Sequence, residues 1–179
     1  TKVRVKKSNK EAILRWNSTG ITMAGVTGQR GNTSDKLFTP RGIGIDWSNA
    51  LYIADSGNSR VQKYSKNVSV GETVAGEGSG IAGMGDEFLS DPYDVVVDLN
   101  ENVFVADSPN QRIQLWTRGS SQGTTIAGTT GVANKSANTL KSPYGITYDS
   151  ITGGIYISDS GNFRIMYYPA GVLNGTVVA

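Results

Sequence analysis

Short apolar runs alternate with clusters of turn-forming residues along this chain, and one arrangement of them occurs three times. Residues 51–64, 103–116 and 155–168 each hold two runs rich in β-branched and aromatic residues, separated by Asp-Ser-Gly-Asn or Asp-Ser-Pro-Asn. Strand formers on both sides of turn formers predict a β-hairpin in each copy. The copies begin 52 residues apart, and a fixed period of this size is typical of stacked or radial arrays of small units.

Each period also contains a strand before the hairpin and another after it. The first strand follows a Pro that comes three residues after a Leu, and the fourth strand segment begins with Thr. The first-strand segments are residues 42–46, 94–98 and 145–149, and the fourth-strand segments are residues 73–76, 125–128 and 176–179, with an earlier copy at 22–25. Four short strands in roughly 50 residues form the blade of a β-propeller. The predicted fold class is therefore all-β, a β-propeller of four-stranded antiparallel blades of which about 3.75 are present.

Two charged positions recur at the ends of the hairpin turn. The acidic position holds Asp55, Asp107 and Asp159, and the basic position holds Arg60, Arg112 and Arg164. A carboxylate and a guanidinium can close such a turn with charge-assisted hydrogen bonds. We favour this turn clamp over a metal or substrate carboxylate, because a repeated fold residue is expected in a repeat protein and identical active sites are not. Gly57 and Gly161 inside the turn tolerate positive φ, but Pro109 in the middle copy does not.

The combined pattern resembles the NHL repeat. It consists of Pro-x-Gly-Ile, then Leu-Tyr-Ile-Ala-Asp-Ser-Gly-Asn-x-Arg-Val-Gln-Lys-Tyr, then Thr-Val-Ala-Gly and a Gly-rich loop. The resemblance covers nearly the whole chain and implies a propeller, commonly six-bladed, of the long-loop variety found in secreted and cell-surface proteins. The family-typical His before the Arg is absent, and Ser59, Gln111 and Phe163 stand in its place.

Aligned on this repeat, the chain is one propeller segment, residues 1–179. Residues 1–25 would supply the last three strands of an incomplete first blade, and residues 26–76, 77–128 and 129–179 would form three full repeats. Fewer than four blades leave an apolar sheet face uncovered, so we expect the sequence to be part of a longer chain. Two alternatives remain open: several copies complete a ring or filament, or the chain closes as a small propeller.

Composition and charge narrow the possible functions. His and Cys are both absent, which excludes Cys–His and Ser–His–Asp nucleophilic sites and the usual zinc sites. Residues 1–10 carry five basic side chains and no acidic one. Because the overall net charge is +2, the rest of the chain has a net charge of −3. We interpret the basic segment as a strand with one solvated face and expect no nucleic-acid partner. No apolar run is long enough to cross a bilayer, so no membrane span is expected.

Five Asn-x-Ser/Thr sequons fall in predicted loops. They are Asn17, Asn32, Asn67, Asn134 and Asn174. Each lies between the third and fourth strands of a unit or after the fourth strand, where a glycan would point into solvent. The sequence therefore predicts N-linked glycans and an extracellular or cell-surface location.

Oxygen ligands are the remaining candidate chemistry. Residues 98–102, Asp-Leu-Asn-Glu-Asn, offer oxygens at alternate positions, loosely like a calcium loop, but other repeats place unlike sequences in the same hairpin and a plain turn is favoured. We assign no catalytic, metal-binding or cofactor-binding residue and expect no cofactor. The predicted function is a non-catalytic extracellular scaffold, adhesion or protein-interaction module acting through protein partners or self-association, within a larger repeat protein or filament. The alternative is a metal-dependent hydrolase or lyase with carboxylate ligands.

Overall fold

The computed structural model of the chain describes residues 19–179, which form three antiparallel four-stranded sheets in succession. The first sheet holds β1 (Pro40–Ile45), β2 (Leu51–Asp55), β3 (Arg60–Tyr64) and β4 (Glu72–Ala75). The second holds β5 (Asp94–Val97), β6 (Val103–Asp107), β7 (Arg112–Trp116) and β8 (Thr124–Gly128). The third holds β9 (Pro143–Tyr148), β10 (Ile155–Asp159), β11 (Arg164–Tyr168) and β12 (Thr176–Val177).

In every sheet, sequence neighbours pair with one another, so each predicted blade is a simple antiparallel meander. The helical content of the described range is limited to two short 3-10 turns, Ser56–Asn58 and Ser160–Asn162. The predicted all-β fold class and the four-stranded units are confirmed. Of the incomplete first blade, residues 1–18 lie outside the described residues. Residues 22–25, predicted as its last strand, belong to no strand, and the segment predicted to pair with them lies within 1–18.

Successive sheets pack face to face, and the core lies between them. Between the first and second sheets, small residues such as Ala54 and Val61 on one face meet Val105 and Trp116 on the other. A second cluster joins the next pair of sheets, for example Ile113 against Ile157. These side chains are buried because each sheet is apolar on both faces and needs a neighbour on each side. The stacking is that of propeller blades.

The first strands of the three sheets, β1, β5 and β9, converge on a common centre. The Gly42 amide donates to the Tyr93 carbonyl at 3.0 Å, and the Ile146 amide donates to Asp94 Oδ2 at 3.0 Å. A Cβ on Gly42 would lie 2.5 Å from the Asp94 Cα, so β1 can approach β5 this closely only with Gly at that position. Burial raises the pKa of the Asp94 carboxyl.

One buried polar position interrupts the apolar packing between the first two sheets. Gln114, in the middle of β7, is fully buried. Its Oε1 accepts from Thr125 Oγ1 at 3.4 Å, but its Nε2 has no hydrogen-bond partner among the described residues. The third sheet carries Met166 at the corresponding position, where it is buried in the second core cluster. An unpaired buried amide lowers the free energy of unfolding.

Candidate interaction surface

The recurring Asp and Arg form a buried ion pair across the turn in all three repeats. Arg60 Nε donates to Asp55 Oδ2 at 2.9 Å. Arg112 Nε donates to Asp107 Oδ2 at 2.8 Å, and Arg164 Nε to Asp159 Oδ2 at 2.7 Å. In each copy the Asn three residues after the Asp also donates to the same carboxylate oxygen.

Each of these arginines also binds the loop that precedes its own sheet. In the second repeat, Arg112 Nη1 donates to the Met84 carbonyl at 2.9 Å, and Nη2 donates to the carbonyls of Gly85 and Phe88 at 3.0 Å each. Arg60 and Arg164 bind carbonyls of residues 32–36 and 135–139 in the same way. The guanidinium therefore fixes a loop that lies 24–29 residues away in sequence, and its donors are occupied by the protein itself.

Positive φ in this turn occurs at a different residue from the one the sequence suggests. Gly57 and Gly161 have no positive φ, whereas Ser59, Gln111 and Phe163 have φ of 50°, 60° and 55°. Gly57 is required by contact instead, because a Cβ there would lie 2.6 Å from the Phe38 ring. The middle repeat accommodates Pro109 because its counterpart of Phe38 is the small Ser90.

The positive-φ residue also links one repeat to the next. Ser59 Oγ accepts from the Asp91 amide at 3.4 Å, and Gln111 Oε1 accepts from the Ser142 amide at 2.7 Å. The Phe163 side chain has no hydrogen-bond acceptor, and the residue is 94% exposed. The position at which family members carry His is thus an inter-repeat contact in the first two repeats.

The possible calcium loop is a turn in which the carboxylate serves its own backbone. Asp98 Oδ1 accepts from the amides of Asn100 and Asn102 at 2.8 and 2.9 Å, and Oδ2 accepts from Asn102 Nδ2 at 2.8 Å. Within residues 19–179, no three His, Cys, Asp or Glu side chains are grouped so that they could hold a metal ion.

Four of the five sequons lie within the described residues, and all four Asn side chains are exposed. They are Asn32, Asn67, Asn134 and Asn174. Asn17 lies outside the described residues. Asn32 Nδ2, the atom that would carry a glycan, donates to the Ser79 carbonyl at 3.3 Å, and Asn134 uses its Oδ1 to accept from the Ser136 amide at 2.8 Å.

At the opposite end of each sheet, the turn between the first and second strands presents an apolar side chain to solvent. Trp47, Leu99 and Ile151 are 71%, 74% and 93% exposed. Trp47 and Leu99 line a depression of about 310 Å³ to which all three sheets contribute, among others through Ile45 and Tyr148. Ile151 directly follows Ser150, another lining residue. We call these three side chains and the depression the hairpin-tip surface. Sequence reasoning missed it, although an apolar residue one or two positions after the turn Asp is visible in each repeat.

An Asp at the start of each turn holds these tips in place. Asp46 Oδ1 accepts from the amides of Ser48 and Ala50, both at 2.9 Å. Asp98 holds the second turn as described above, and Asp149 Oδ1 accepts from the Ile151 amide at 2.9 Å. Side chains bonded to their own turn backbone rigidify it, so the exposed apolar groups are presented in fixed positions.

Comparison with known proteins agrees with this architecture. A family model described as "NHL repeat" matches residues 39–64. The chain carries an NHL repeat. The resemblance to NHL-repeat propellers is thereby confirmed. No curated protein matches the sequence.

Solved structures similar to this chain share its fold at low sequence identity. A chain of a nidogen/laminin complex matches with a TM-score of 0.61 and 18% identity over 79% of this chain and 48% of that chain. An auxiliary nutrient binding protein from Bacteroides thetaiotaomicron VPI-5482 matches at 0.57 and 21%, over 70% and 37%. A streptogramin B lyase matches at 0.52 and 14%, over 82% and 40%. This chain spans about half or less of those chains.

A larger cleft lies between the first two sheets, with a volume of about 600 Å³. Lys63 Nζ donates to Glu101 Oε2 at 2.6 Å inside it, and Arg118 lies 3.5 Å from the same carboxylate. Burial alone would lower the pKa of Lys63, but hydrogen bonds with Glu101 and Tyr52 outweigh it and raise that pKa. The two cationic side chains that line the cleft, Lys63 and Arg118, are thus both paired with Glu101. No helix within the described range is long and apolar enough to span a membrane.

Proposed function

We propose that this NHL segment is a non-catalytic protein-interaction scaffold, N-glycosylated and located outside the cell or at its surface. The observation that carries the proposal is the hairpin-tip surface, where Trp47, Leu99 and Ile151 are exposed on turns that their own Asp side chains hold rigid. Exposed apolar and aromatic groups clustered around a depression are typical of protein interaction sites. Loops on a rigid scaffold are also where recognition is concentrated.

The names of the similar structures support an interaction role without assigning a partner. One of them is part of a nidogen/laminin complex, and another is named a nutrient binding protein. The exposed sequons support the extracellular part of the proposal, since N-glycosylation requires the secretory route. Expression in a eukaryotic secretion system, followed by enzymatic removal of N-glycans, is expected to reduce the mass of the secreted chain. An unchanged mass would remove the support that the sequons give.

The interaction role is tested by binding to a panel of secreted proteins and ectodomains. A partner found with the wild-type chain should be lost by the variant Trp47→Ser/Leu99→Ser/Ile151→Ser. It should be retained by Phe163→Ser, which removes an equally exposed apolar side chain at the opposite end of the third sheet. If partners bind the triple variant as well as the wild type, the hairpin-tip surface is not the interaction site.

The second candidate is a metal-dependent hydrolase or lyase. It is favoured by one observation in the fold: Asp94 lies where β1, β5 and β9 converge, and its burial raises the pKa of its carboxyl. One similar structure is also that of a lyase. Stoichiometric divalent metal in the purified chain, with hydrolysis of ester or lactone substrates that is lost on chelation and in Asp94→Asn, would favour the enzyme over the scaffold.

A further inference from the structure

The charge of the hairpin-tip surface indicates which partner it fits. Among residues 19–179, the depression is lined by Asp46 and Asp98 and by no Lys or Arg, and Asp149 directly follows one of its lining residues. Its walls are otherwise apolar or uncharged, with Ile45, Val97 and Tyr148 among them. The surface therefore combines exposed apolar tips with an acidic rim.

The carboxylates of Asp98 and Asp149 are held by neutral donors, so their charge remains available to a partner. Asp98 and Asp149 accept only from amide and hydroxyl groups in the contacts they make. The hydrogen bond from the Thr152 hydroxyl lowers the pKa of Asp149 and keeps it ionised. The Asp46 side chain is fully buried and lies 3.8 Å from Lys63 Nζ, so it adds no exposed charge to the surface.

The size of the depression suits a side chain better than a whole small molecule. At about 310 Å³ it is at the lower limit of pockets that enclose small ligands. Trp47 and Leu99 line the depression and are largely exposed, so they extend its apolar surface outward. A partner that inserts one apolar side chain would also contact these two tips. Because the turns are already fixed by Asp46, Asp98 and Asp149, little conformational entropy is lost on binding.

We propose that the hairpin-tip surface binds a protein segment in which an apolar side chain is flanked by Lys or Arg. The apolar side chain enters the depression, and the flanking cations lie against the carboxylates of Asp98 and Asp149. This assignment rests on the proposed interaction function and specifies the partner of the same surface. A polyanion, such as a nucleic acid, is repelled by the rim and is one of the outcomes that the test distinguishes.

Isothermal titration calorimetry with three short capped peptides tests the assignment. The peptides are Lys-Leu-Phe-Lys, Ser-Leu-Phe-Ser and Glu-Leu-Phe-Glu, which keep the apolar pair and vary only the flanking charge. The expected order of affinity is cationic, then neutral, then acidic, with at least a tenfold difference between the first and the last at low salt. Raising the salt concentration should reduce the difference, since exposed charges are screened.

Two variants separate the apolar contribution from the charge contribution. Trp47→Ser/Leu99→Ser should weaken binding of the cationic and neutral peptides alike, by tenfold or more. Asp98→Asn/Asp149→Asn keeps side-chain oxygens that can hold the turns, and it should weaken only the cationic peptide, by fivefold or more. Asp91→Asn, at the opposite end of β5, removes one acidic charge elsewhere and should leave all three affinities unchanged.

The results that overturn the assignment differ from those that overturn the interaction role. No saturable binding of the cationic peptide, tighter binding of the acidic peptide, or tighter binding of a single-stranded oligonucleotide would each refute the assignment. If the neutral and cationic peptides bind equally and both are lost in Trp47→Ser/Leu99→Ser, the surface still recognises protein segments but not their charge. If protein partners from the ectodomain panel are unaffected by loss of the tips, the proposed function itself fails at this surface.

Discussion

The buried guanidinium of Arg112 offers the sharpest test of how each repeat is held together. Arg112 is 1% exposed, and its partner Asp107 is fully buried. Replacing Arg112 by Met keeps most of the apolar stem but leaves the carboxylate without its cation and removes the donors to the carbonyls of Met84, Gly85 and Phe88. We expect Arg112→Met to unfold far more easily than the wild type.

The magnitude follows from the burial of both partners. Removing one member of a buried ion pair costs about 3–5 kcal/mol. Asn110 Nδ2 and the Ser90 amide still bind Asp107 in the variant, and loop carbonyls regain water, so we expect the lower half of that range. With an m value of about 2 kcal/mol/M, the urea midpoint should fall by roughly 1.5–2 M.

The loss should also depend on pH. Burial raises the pKa of Asp107, against hydrogen bonds from Asn110 and Arg112 that lower it, and removing Arg112 raises it further. A carboxyl whose pKa is higher in the folded state than in the unfolded chain lowers the free energy of unfolding, and this penalty is complete above the folded-state pKa. As the pH falls from the folded-state pKa toward the unfolded-state pKa, the carboxyl becomes protonated and the penalty disappears. The difference in free energy of unfolding between variant and wild type should therefore shrink in acid.

Urea titrations followed by tryptophan fluorescence and far-ultraviolet circular dichroism measure this loss at several pH values. Arg118→Met is the matched control, because Arg118 is 72% exposed and its ion pair with Glu101 spans 3.5 Å. Exposed pairs contribute about 0–1 kcal/mol. The reasoning is refuted if Arg112→Met loses no more stability than Arg118→Met, or if its deficit grows as the pH is lowered.

Substitutions at three further positions, two of them with a comparison variant, test the packing between repeats. Gln114→Met removes the buried amide whose Nε2 is unpaired and should raise the free energy of unfolding by about 1–2 kcal/mol in a urea titration. Met166→Gln, at the corresponding position of the third sheet, should lower the free energy of unfolding. Stabilisation by both substitutions would contradict the argument. Gly42→Ala should lower the free energy of unfolding by more than about 2 kcal/mol, because its Cβ would overlap β5. Gly78→Ala should be tolerated, because a Cβ there would have no neighbour nearer than 3.8 Å. Equal melting temperatures of the two variants would disprove the close approach of β1 to β5. Gln111→Ala removes the acceptor for the amide of the next repeat and should cost about 1 kcal/mol by thermal denaturation, and an unchanged melting temperature would show that the 2.7 Å contact contributes nothing.

The hairpins were predictable because their determinants are local and are repeated. Asp107 and Arg112 are five residues apart and pair with each other across the β6–β7 hairpin. The turn formers between them and the strand formers on either side are enough to predict this hairpin without the rest of the fold. The further role of the arginine was not predictable, because its carbonyl acceptors at Met84 and Phe88 have no side-chain signature and lie in another loop. Positive φ at Ser59 rather than at Gly57 was equally hidden, since a serine fits many backbone conformations.

The repeated residues at the two ends of the sheets differ in what they contact, and this difference supports the proposal that recognition takes place at the hairpin tips. At one end, residues that are identical in the three repeats, such as Asp55 and Arg60, form hydrogen bonds within the protein, so few of their donors and acceptors remain for a ligand. At the other end, the Asp of the turn is repeated but the residue it presents changes, from Trp47 to Leu99 to Ile151. In a repeat protein, positions that are constant between repeats serve the fold, and exposed positions that vary can be fitted to a partner. A screen that substitutes only the three tip residues should therefore change which partners bind while leaving the urea midpoint unchanged. Altered stability without altered binding would place recognition elsewhere.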